Sequence, residues 1–296
     1  MQWDDLKVYL AVARAESLSG AGRALRLDPA TVGRRITRLE EQVGATLFLR
    51  SAQGYAQTEA GTRLLDHAIR VEAEINAGLS GLQSPNDGLS GQIRIGAPDG
   101  CATFLLPQVC AQIGEAHPGL ELQIVALPRI FNLSKREADL AIAVTAPSQG
   151  RMTVRKITGY ALHLAASGTY LDRAPALESR ADLLSHRIVG YIPDMIFDAG
   201  LDYGAELGGA PLGFSSNSVL VQLSLLRAGA GVGIVHDFAR ASAPELVTVL
   251  PETVSINRAF YLLRHADEAT SPRLNRFSEL LTAGIRRETR RLEALA

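Results

Sequence analysis

Two stripes run along residues 29–43. Val32, Ile36, Leu39 and Val43 recur at i, i+4, i+7 and i+11, and Thr31, Arg34, Arg35 and Arg38 at i, i+3, i+4 and i+7. At about 100° per residue the stripes lie roughly 120° apart, so the spacing predicts a helix that buries one side and offers three guanidinium groups and a hydroxyl on another. Asp28 followed by Pro29 gives it a capping carboxylate and a proline at the first helical position, and Gly44 ends it. Upstream, Leu6, Tyr9 and Val12 share one face of a predicted helix over 3–15, and Ser17 or Ser19 caps a second over about 19–25. Downstream, TLFLRSAQGYAQT reads as a two-stranded wing with Gln53-Gly54 at its tip. Thr58 then caps a long helix, about 59–83. Its Leu64, Ala68, Val71, Ile75 and Leu82 keep a near coiled-coil spacing that Gly78 interrupts. At ~1.5 Å per residue this helix spans roughly 35–40 Å, and its apolar stripe asks for a partner.

SPNDGLSG (84–91) is a linker, and the pattern changes after it. QIRIGAP, LELQIVAL, the end of KREADLAIAVT, YALHLAAS, IVGYI, GVGIVH and RAFYLLRHA read as strands. TFLLPQVCAQIGEAH, NSVLVQLSLLRAG and the closing SPRLNRFSELLTAGIRRETRRLEAL read as helices. Strand and helix alternate with short connections, which predicts an α/β region with a parallel sheet, organised as two lobes.

With 296 residues, 47% of them hydrophobic and 21% charged, the chain has the size and balance of a globular protein of several domains. Its net charge of −1 supplies no global attraction to nucleic acid, so any such binding must be local. Six arginines (23, 26, 34, 35, 38 and 50) stand against Asp28, Glu40 and Glu41 within 20–50. The N-terminus shows no basic start followed by an apolar run, and no apolar run approaches the ~18 residues of a membrane span, so the chain reads as cytoplasmic with no membrane partner. Two cysteines make no disulfide framework.

The helix over 29–43 has what the DNA major groove requires. Arg34 and Arg35 are placed to reach base edges or flanking phosphates, Thr31 to meet a thymine methyl or a phosphate, and Arg38 to hold a phosphate. Arginine matches the O6 and N7 acceptors of guanine with its planar fork. Arg50 and the wing around Gly54 and Tyr55 should follow the backbone, fixing register without reading sequence. The plainer alternative is a solvated face shared with Glu40 and Glu41.

Residues 18–65 resemble the LysR-type transcriptional regulators. The resemblance rests on Ser17-Leu18-Ser19, Ala21, Ala24-Leu25, Ala30-Thr31-Val32, Arg35-Ile36, Leu39-Glu40, Gly44, Leu47-Phe48, Arg50 and Thr58-Glu59-Ala60-Gly61. It continues through IRIGAP, LLP at 105–107, HPGLEL at 117–122, ADLAIAV at 138–144 and AGAGVGIV at 228–235. It implies an all-α winged helix-turn-helix over 1–58, a dimerising helix over 59–83, a hinge over 84–91 and an α/β effector domain over 92–296. That domain would be two-lobed and periplasmic-binding-protein-like, with lobe I over about 92–162 and 267–296 and lobe II over about 163–266. It further implies a dimer, assembled as a dimer of dimers, on double-stranded DNA carrying an interrupted palindrome, with RNA polymerase as a further candidate partner. Ser19, Ala30 and Gly33 join the DNA-contact set by this resemblance. Asp28 stands where the family usually has serine, Gly33 where a serine often sits near DNA, and His236-Asp237 where leucine-proline is common.

The same resemblance puts a small-molecule effector between the lobes, where strand ends and helix starts converge and suit carboxylates and other polar ligands. Asp99, Gly100, Cys101 and Thr103 follow the first strand. Asp99 there would repel an anion, or would read an amine or hydroxyl. Arg129 follows the second strand, Thr145 ends the third, and Tyr191, Ile192, Asn217 and Ser218 come from the other lobe. No cofactor or metal is expected.

Three rivals fare worse. Gly229-Ala-Gly-Val-Gly233 lies after a helix and before a strand, the reverse of a dinucleotide fingerprint, and HExxH, GxSxG and P-loop motifs are missing, which argues against an enzyme. The N-terminal module argues against a transport-linked solute-binding protein. Cys101 and Cys110 on one helix would lie ~13.5 Å apart along its axis, whereas a disulfide needs Cα atoms within ~7 Å, which argues against a thiol switch.

Overall fold

The computed structural model describes residues 3–51, 54–81, 88–126, 138–147, 151–268 and 270–296. The chain divides into two compact units, one built on Met1–Ser84 and the other on most of the remainder.

In the first unit, α1 (Trp3–Ala15), α2 (Leu18–Leu25) and α3 (Pro29–Val43) precede a wing of β1 (Phe48–Ser51) and β2 (Gly54–Gln57), and α4 (Glu59–Gly81) follows. The starts of the helices are fixed as the sequence predicts. Ser17, rather than Ser19, accepts a hydrogen bond from the Gly20 N–H at 3.1 Å. Asp28 accepts from the Ala30 N–H at 2.8 Å, and Thr58 Oγ1 accepts from the Gly61 N–H at 3.0 Å. The core gathers Tyr9, Leu10, Val12, Val32, Ile36, Leu39, Leu47, Phe48, Ala68 and Ile69. Val43, the last residue of the predicted apolar stripe, is instead 43% exposed, because α3 has run past the core by its final turn. The Tyr9 hydroxyl donates to the Gly61 carbonyl at 2.6 Å and accepts from Gln57 Nε2 at 2.9 Å, joining α1, the wing and α4. Of the predicted seam of α4, Leu64 packs on this core and Ala68 is buried in it, whereas Val71 and Ile75 are exposed. Leu82 lies outside the described residues.

The second unit holds β3 (Gly91–Ala97), α5 (Asp99–Phe104), α6 (Leu106–Ala116), β4 (Leu120–Ala126), β5 (Leu140–Ala143), β6 (Met152–Ser167), α7 (Gly168–Leu171), β7 (Ile188–Gly190), β8 (Leu212–Ser215), α8 (Val219–Arg227), β9 (Val232–His236), α9 (Asp237–Arg240), β10 (Leu246–Thr248), β11 (Ser255–His265) and α10 (Pro272–Glu293). Among the described residues the strands form one sheet in the order β4-β3-β5-β11-β6-β9-β7-β8, with β10 on β6. The two flanks are parallel as predicted, β4-β3-β5 on one side and β9-β7 on the other, the second extended by β8, a strand the sequence reading did not include. The centre is not: β11 pairs antiparallel with β5 and β6, and β6 antiparallel with β9 and β10. The fold is α/β with a mixed sheet, because β6 spans 16 residues and joins two flanks of opposite direction. One lobe gathers around β3–β5, the other around β7–β9, and β6 with β11 runs through both.

The predicted helix TFLLPQVCAQIGEAH (103–117) is broken at Leu105, between α5 and α6. Pro107 lacks the N–H that would bond back into the preceding turn, and its ring crowds that turn. Cys101 and Cys110 therefore sit on different helices, both buried as free thiols.

Candidate functional site

Helix α3 buries Val32, Ile36 and Leu39 and turns the arginine stripe outward, but the three guanidinium groups meet different surroundings. Arg34 is exposed, and its Nη2 donates to Thr31 Oγ1 at 3.1 Å. Arg35 is half-buried, with Nη1 4.0 Å from the Asp4 carboxylate of α1. Arg38 is held in a two-pronged ion pair by Asp5, Nε donating to Oδ2 at 2.8 Å and Nη2 to Oδ1. Asp5 is fully buried and belongs to α1, so Arg38 pins α3 to its neighbour. Nη1 of Arg38 has no protein partner among the described residues. Glu40 is no member of a solvated charge face: its Oε1 accepts from the N–H groups of Leu47 and Phe48 at 2.7 and 3.2 Å, stapling the end of α3 to the wing.

Around this face, Ser19 and Ala30 are exposed at the starts of α2 and α3. Gly33 faces α2, where an added Cβ would meet Leu18 Cδ1 at 3.3 Å. Arg50 lies on β1 opposite Tyr55. Gly54 has φ +130°, and a Cβ there would approach the Glu16 carbonyl oxygen to 2.6 Å. The Tyr55 N–H donates to that same carbonyl at 2.9 Å, and the Tyr55 ring stands edge-on to Phe48 at 6.0 Å. Gly54 and Tyr55 thus seat the wing on the end of α1.

In the second unit, Asp99, Gly100, Cys101, Tyr191 and Asn217 line one small chamber of about 20 Å³ between the lobes, together with Pro98, Val144, Phe197, Leu201, Val219, His236 and Phe260. Ser218 meets the same chamber indirectly: its Oγ donates to Asp99 Oδ2 at 2.7 Å. Thr103 and Ile192 do not line it. Thr145 is exposed, donates to Asp198 Oδ1 at 2.6 Å and faces an open groove over β6 and β11 instead. Arg129 lies outside the described residues. A larger apolar cavity of about 540 Å³ opens within lobe II and shares Tyr191, Phe197 and Leu201 with the chamber. Burial pushes the Tyr191 and Tyr203 phenols above their ordinary range, so both stay protonated.

His236, noted in the sequence for standing where leucine-proline is common, was not placed among the effector-site residues. It is 5% exposed, its ring stacks on Tyr160 at 5.6 Å and lies 4.9 Å from Phe238, and its Nδ1 is buried without a hydrogen-bond partner. Burial pulls its pKa down to about 4, against a weaker upward pull from Asp99. The signals in the sequence were that departure and its position at the end of the apolar run GVGIV, where a buried strand carries its last side chain into the cleft. Burial likewise raises the thiols, Cys101 far above its ordinary value and Cys110 to about 11, which leaves both inert as nucleophiles.

A core-anchored helix with an outward arginine, a wing and a separate two-lobed α/β unit define a ligand-responsive DNA-binding protein. Comparison with known families agrees. Residues 3–62 match the bacterial regulatory helix-turn-helix protein, lysR family, and residues 86–286 match the LysR substrate binding domain. The chain belongs to the LysR family of transcriptional regulators, which are not enzymes. It is similar to the HTH-type transcriptional regulator CrgA of Neisseria meningitidis serogroup C, 24% identical over 284 residues that cover 94% of this chain and 95% of CrgA. It is also similar to the HTH-type transcriptional activator AaeR of Escherichia coli K12, 26% identical over 87% of this chain and 85% of AaeR. Among solved structures, full-length LysG of Corynebacterium glutamicum with bound effector Arg shares the fold at 20% identity and a TM-score of 0.64, covering 97% of this chain and 99% of LysG. Full-length OxyR of Pseudomonas aeruginosa shares it at 18% identity and a TM-score of 0.70, covering 97% of this chain and 98% of OxyR. Among the described residues no helix is long and apolar enough to cross a membrane.

Proposed function

We infer that α3 enters the major groove with Arg34 as its principal base-reading side chain, and that a small molecule bound between the lobes modulates this binding. The observation that carries the first half is Arg34: exposed, on a helix anchored by three buried residues, with Thr31 beside it. Arg35 lies near the same edge and is steered by Asp4, which favours a flanking phosphate or base. Arg38 orients α3 through Asp5 and keeps Nη1 for a phosphate. Arg50 and the wing set register along the backbone.

The domain limits follow the same reading: DNA-binding module over 1–58, helix over 59–83, hinge over 84–91, effector domain thereafter. Exposed Val71 and Ile75 on α4 supply a contact between two copies. A dimer reads two half-sites about one helical turn apart, hence an interrupted palindrome. Pairing of dimers, contact with RNA polymerase and a cytoplasmic location complete the reading.

The test is footprinting on DNA upstream of the gene, followed by affinity measurement at fixed salt. Arg34→Ala should cost ~1–3 kcal/mol on the specific site and relax base choice at one position of each half-site. Unchanged affinity and unchanged specificity would sink the assignment. For the cleft, a metabolite library is screened by thermal shift, and each hit is repeated with Gly100→Leu, which fills the chamber.

A further inference from the structure

The side chain of Asp99 belongs to one lobe and its hydrogen bonds to the other. Oδ2 accepts from Ser218 Oγ at 2.7 Å and from the Leu220 N–H at 3.4 Å. Ser218 is the cap of α8, a helix of nine residues, and its Oγ in turn accepts from the Val221 N–H at 3.4 Å. The first turn of a helix offers unpaired N–H groups and the positive end of the helix dipole. A carboxylate standing there is the arrangement by which helix N-termini bind anions. Here the carboxylate comes from the chain itself. A second, independent feature marks the same spot as ligand-facing: His236, 95% removed from solvent by its 5% exposure, lines the chamber beneath Asp99 with Nδ1 unpartnered. A Cβ on Gly100 would lie 3.7 Å from the His236 ring, so the imidazole sits directly under the Asp99-Gly100 backbone.

We propose that Asp99 is a built-in anion that fills the α8 N-terminal site from the opposite lobe, so that the cleft refuses carboxylate ligands and takes a ligand without negative charge. This rests on reading the cleft as the effector site and makes Asp99 its specificity-determining residue. The contact also ties the lobes together across the chamber. An anionic ligand entering the cleft would have to displace Asp99 from Ser218 and leave that carboxylate facing a second negative charge at short range. A hydroxyl or ammonium group meets an acceptor already in place. His236 stays neutral at physiological pH and adds no positive charge that would reverse this preference.

The experiment is chemical rescue with formate on the full chain. Asp99→Ala leaves a carboxylate-sized gap beside Ser218 Oγ and the Leu220 N–H. Thermal unfolding of wild type, Asp99→Ala and Asp99→Ala/Ser218→Ala is followed against sodium formate, with ionic strength held constant by sodium chloride. The expected result is a saturable rise of about 2–4 °C in Asp99→Ala alone, at formate several times its dissociation constant. No formate response in Asp99→Ala, or an equal response in wild type, overturns the proposal. Asp99→Ser opens the same gap and replaces the alanine variant should that one not fold, with the same two outcomes deciding. Failure here and failure of the effector reading are separable: a null formate result alongside library hits that Gly100→Leu abolishes removes the role of Asp99 and leaves the cleft.

Discussion

The buried imidazole of His236 makes the stability of the effector unit depend on pH in a calculable way. Its pKa falls from 6.5 to about 4 on folding, because the charged form would sit among Tyr160, Phe238 and the Gly100 backbone with no acceptor on Nδ1. A depressed histidine pKa means that the unfolded chain binds the proton first. Stability is then unaffected above pH 6.5, falls as pH drops through the window between 6.5 and about 4, and levels off below it. The full displacement corresponds to about 3 kcal/mol, and at pH 5 the loss is already about 2 kcal/mol. Other groups titrate in the same range, so the useful quantity is a difference. His236→Leu keeps an apolar side chain of similar size and removes both the titration and the unpartnered Nδ1. Urea unfolding of wild type and His236→Leu, compared at pH 7.5 and pH 5.0, should show the variant gaining about 2 kcal/mol on wild type as pH falls. A stability difference that stays constant within about 0.5 kcal/mol between the two conditions would refute the reasoning, since it would mean that the imidazole is solvated or paired.

Other consequences can be checked in the same preparations. Arg38→Met should lower the melting temperature, because two of its donor nitrogens are committed to Asp5, and should weaken DNA binding about equally across sequences with a shallower salt dependence, whereas Arg34→Ala relaxes base choice. Gly61→Ala should destabilise by more than about 2 kcal/mol in urea unfolding despite alanine's better helix propensity, since its Cβ would run into the Leu47 carbonyl oxygen. Val71→Asp with Ile75→Asp should raise the dissociation constant of self-association by at least about tenfold in sedimentation equilibrium, each change placing a charge in an apolar contact. Cys110, with its thiol pushed up to about 11, should react with iodoacetamide about 100-fold more slowly than a free thiol at pH 8, until denaturant is added.

Much of the DNA-binding half was legible because local signals agree there. Asp28-Pro29 and Gly44 bracket α3, and the structure places that helix at Pro29–Val43. What escaped was the partner of Arg38. An acid in the first turn of α1 reads as helix-dipole complement, and nothing local tells Asp5, buried and paired across 33 residues, from Asp4, left largely in solvent. The sheet was legible in its flanks, where strand and helix alternate, and misread at its centre. YALHLAAS reports the half of β6 that is buried, whereas Met152–Lys156 is mostly exposed, and its alternation, Met152-Thr153-Val154-Arg155, is only four residues long. The chamber is lined by residues that backbone signals had singled out, at a strand end and two helix starts. Its apolar wall from Phe197, Leu201 and Phe260 was missed, because such residues are indistinguishable from core in one dimension.

The arginine stripe and the cleft follow the same logic. In each, one charged residue holds two elements together beside the groups left exposed or lining the chamber. Asp5 claims Arg38 and so fixes the rotation of α3 about its axis, which decides where Arg34 and Thr31 face. In the effector unit, Asp99 claims Ser218 and so fixes one lobe against the other, with His236 and the apolar chamber beneath. A ligand moves such a device only by binding its two states unequally. The contact between Asp99 and Ser218 bridges the two lobes, so a ligand that parts them would have to break it. β6 and β11, running antiparallel through both lobes, shift register between Phe260 and Tyr261. That irregularity sits beside the chamber wall formed by Phe260. A β-bulge loosens a ladder locally, so the strands that join the lobes are weakest where the ligand would press.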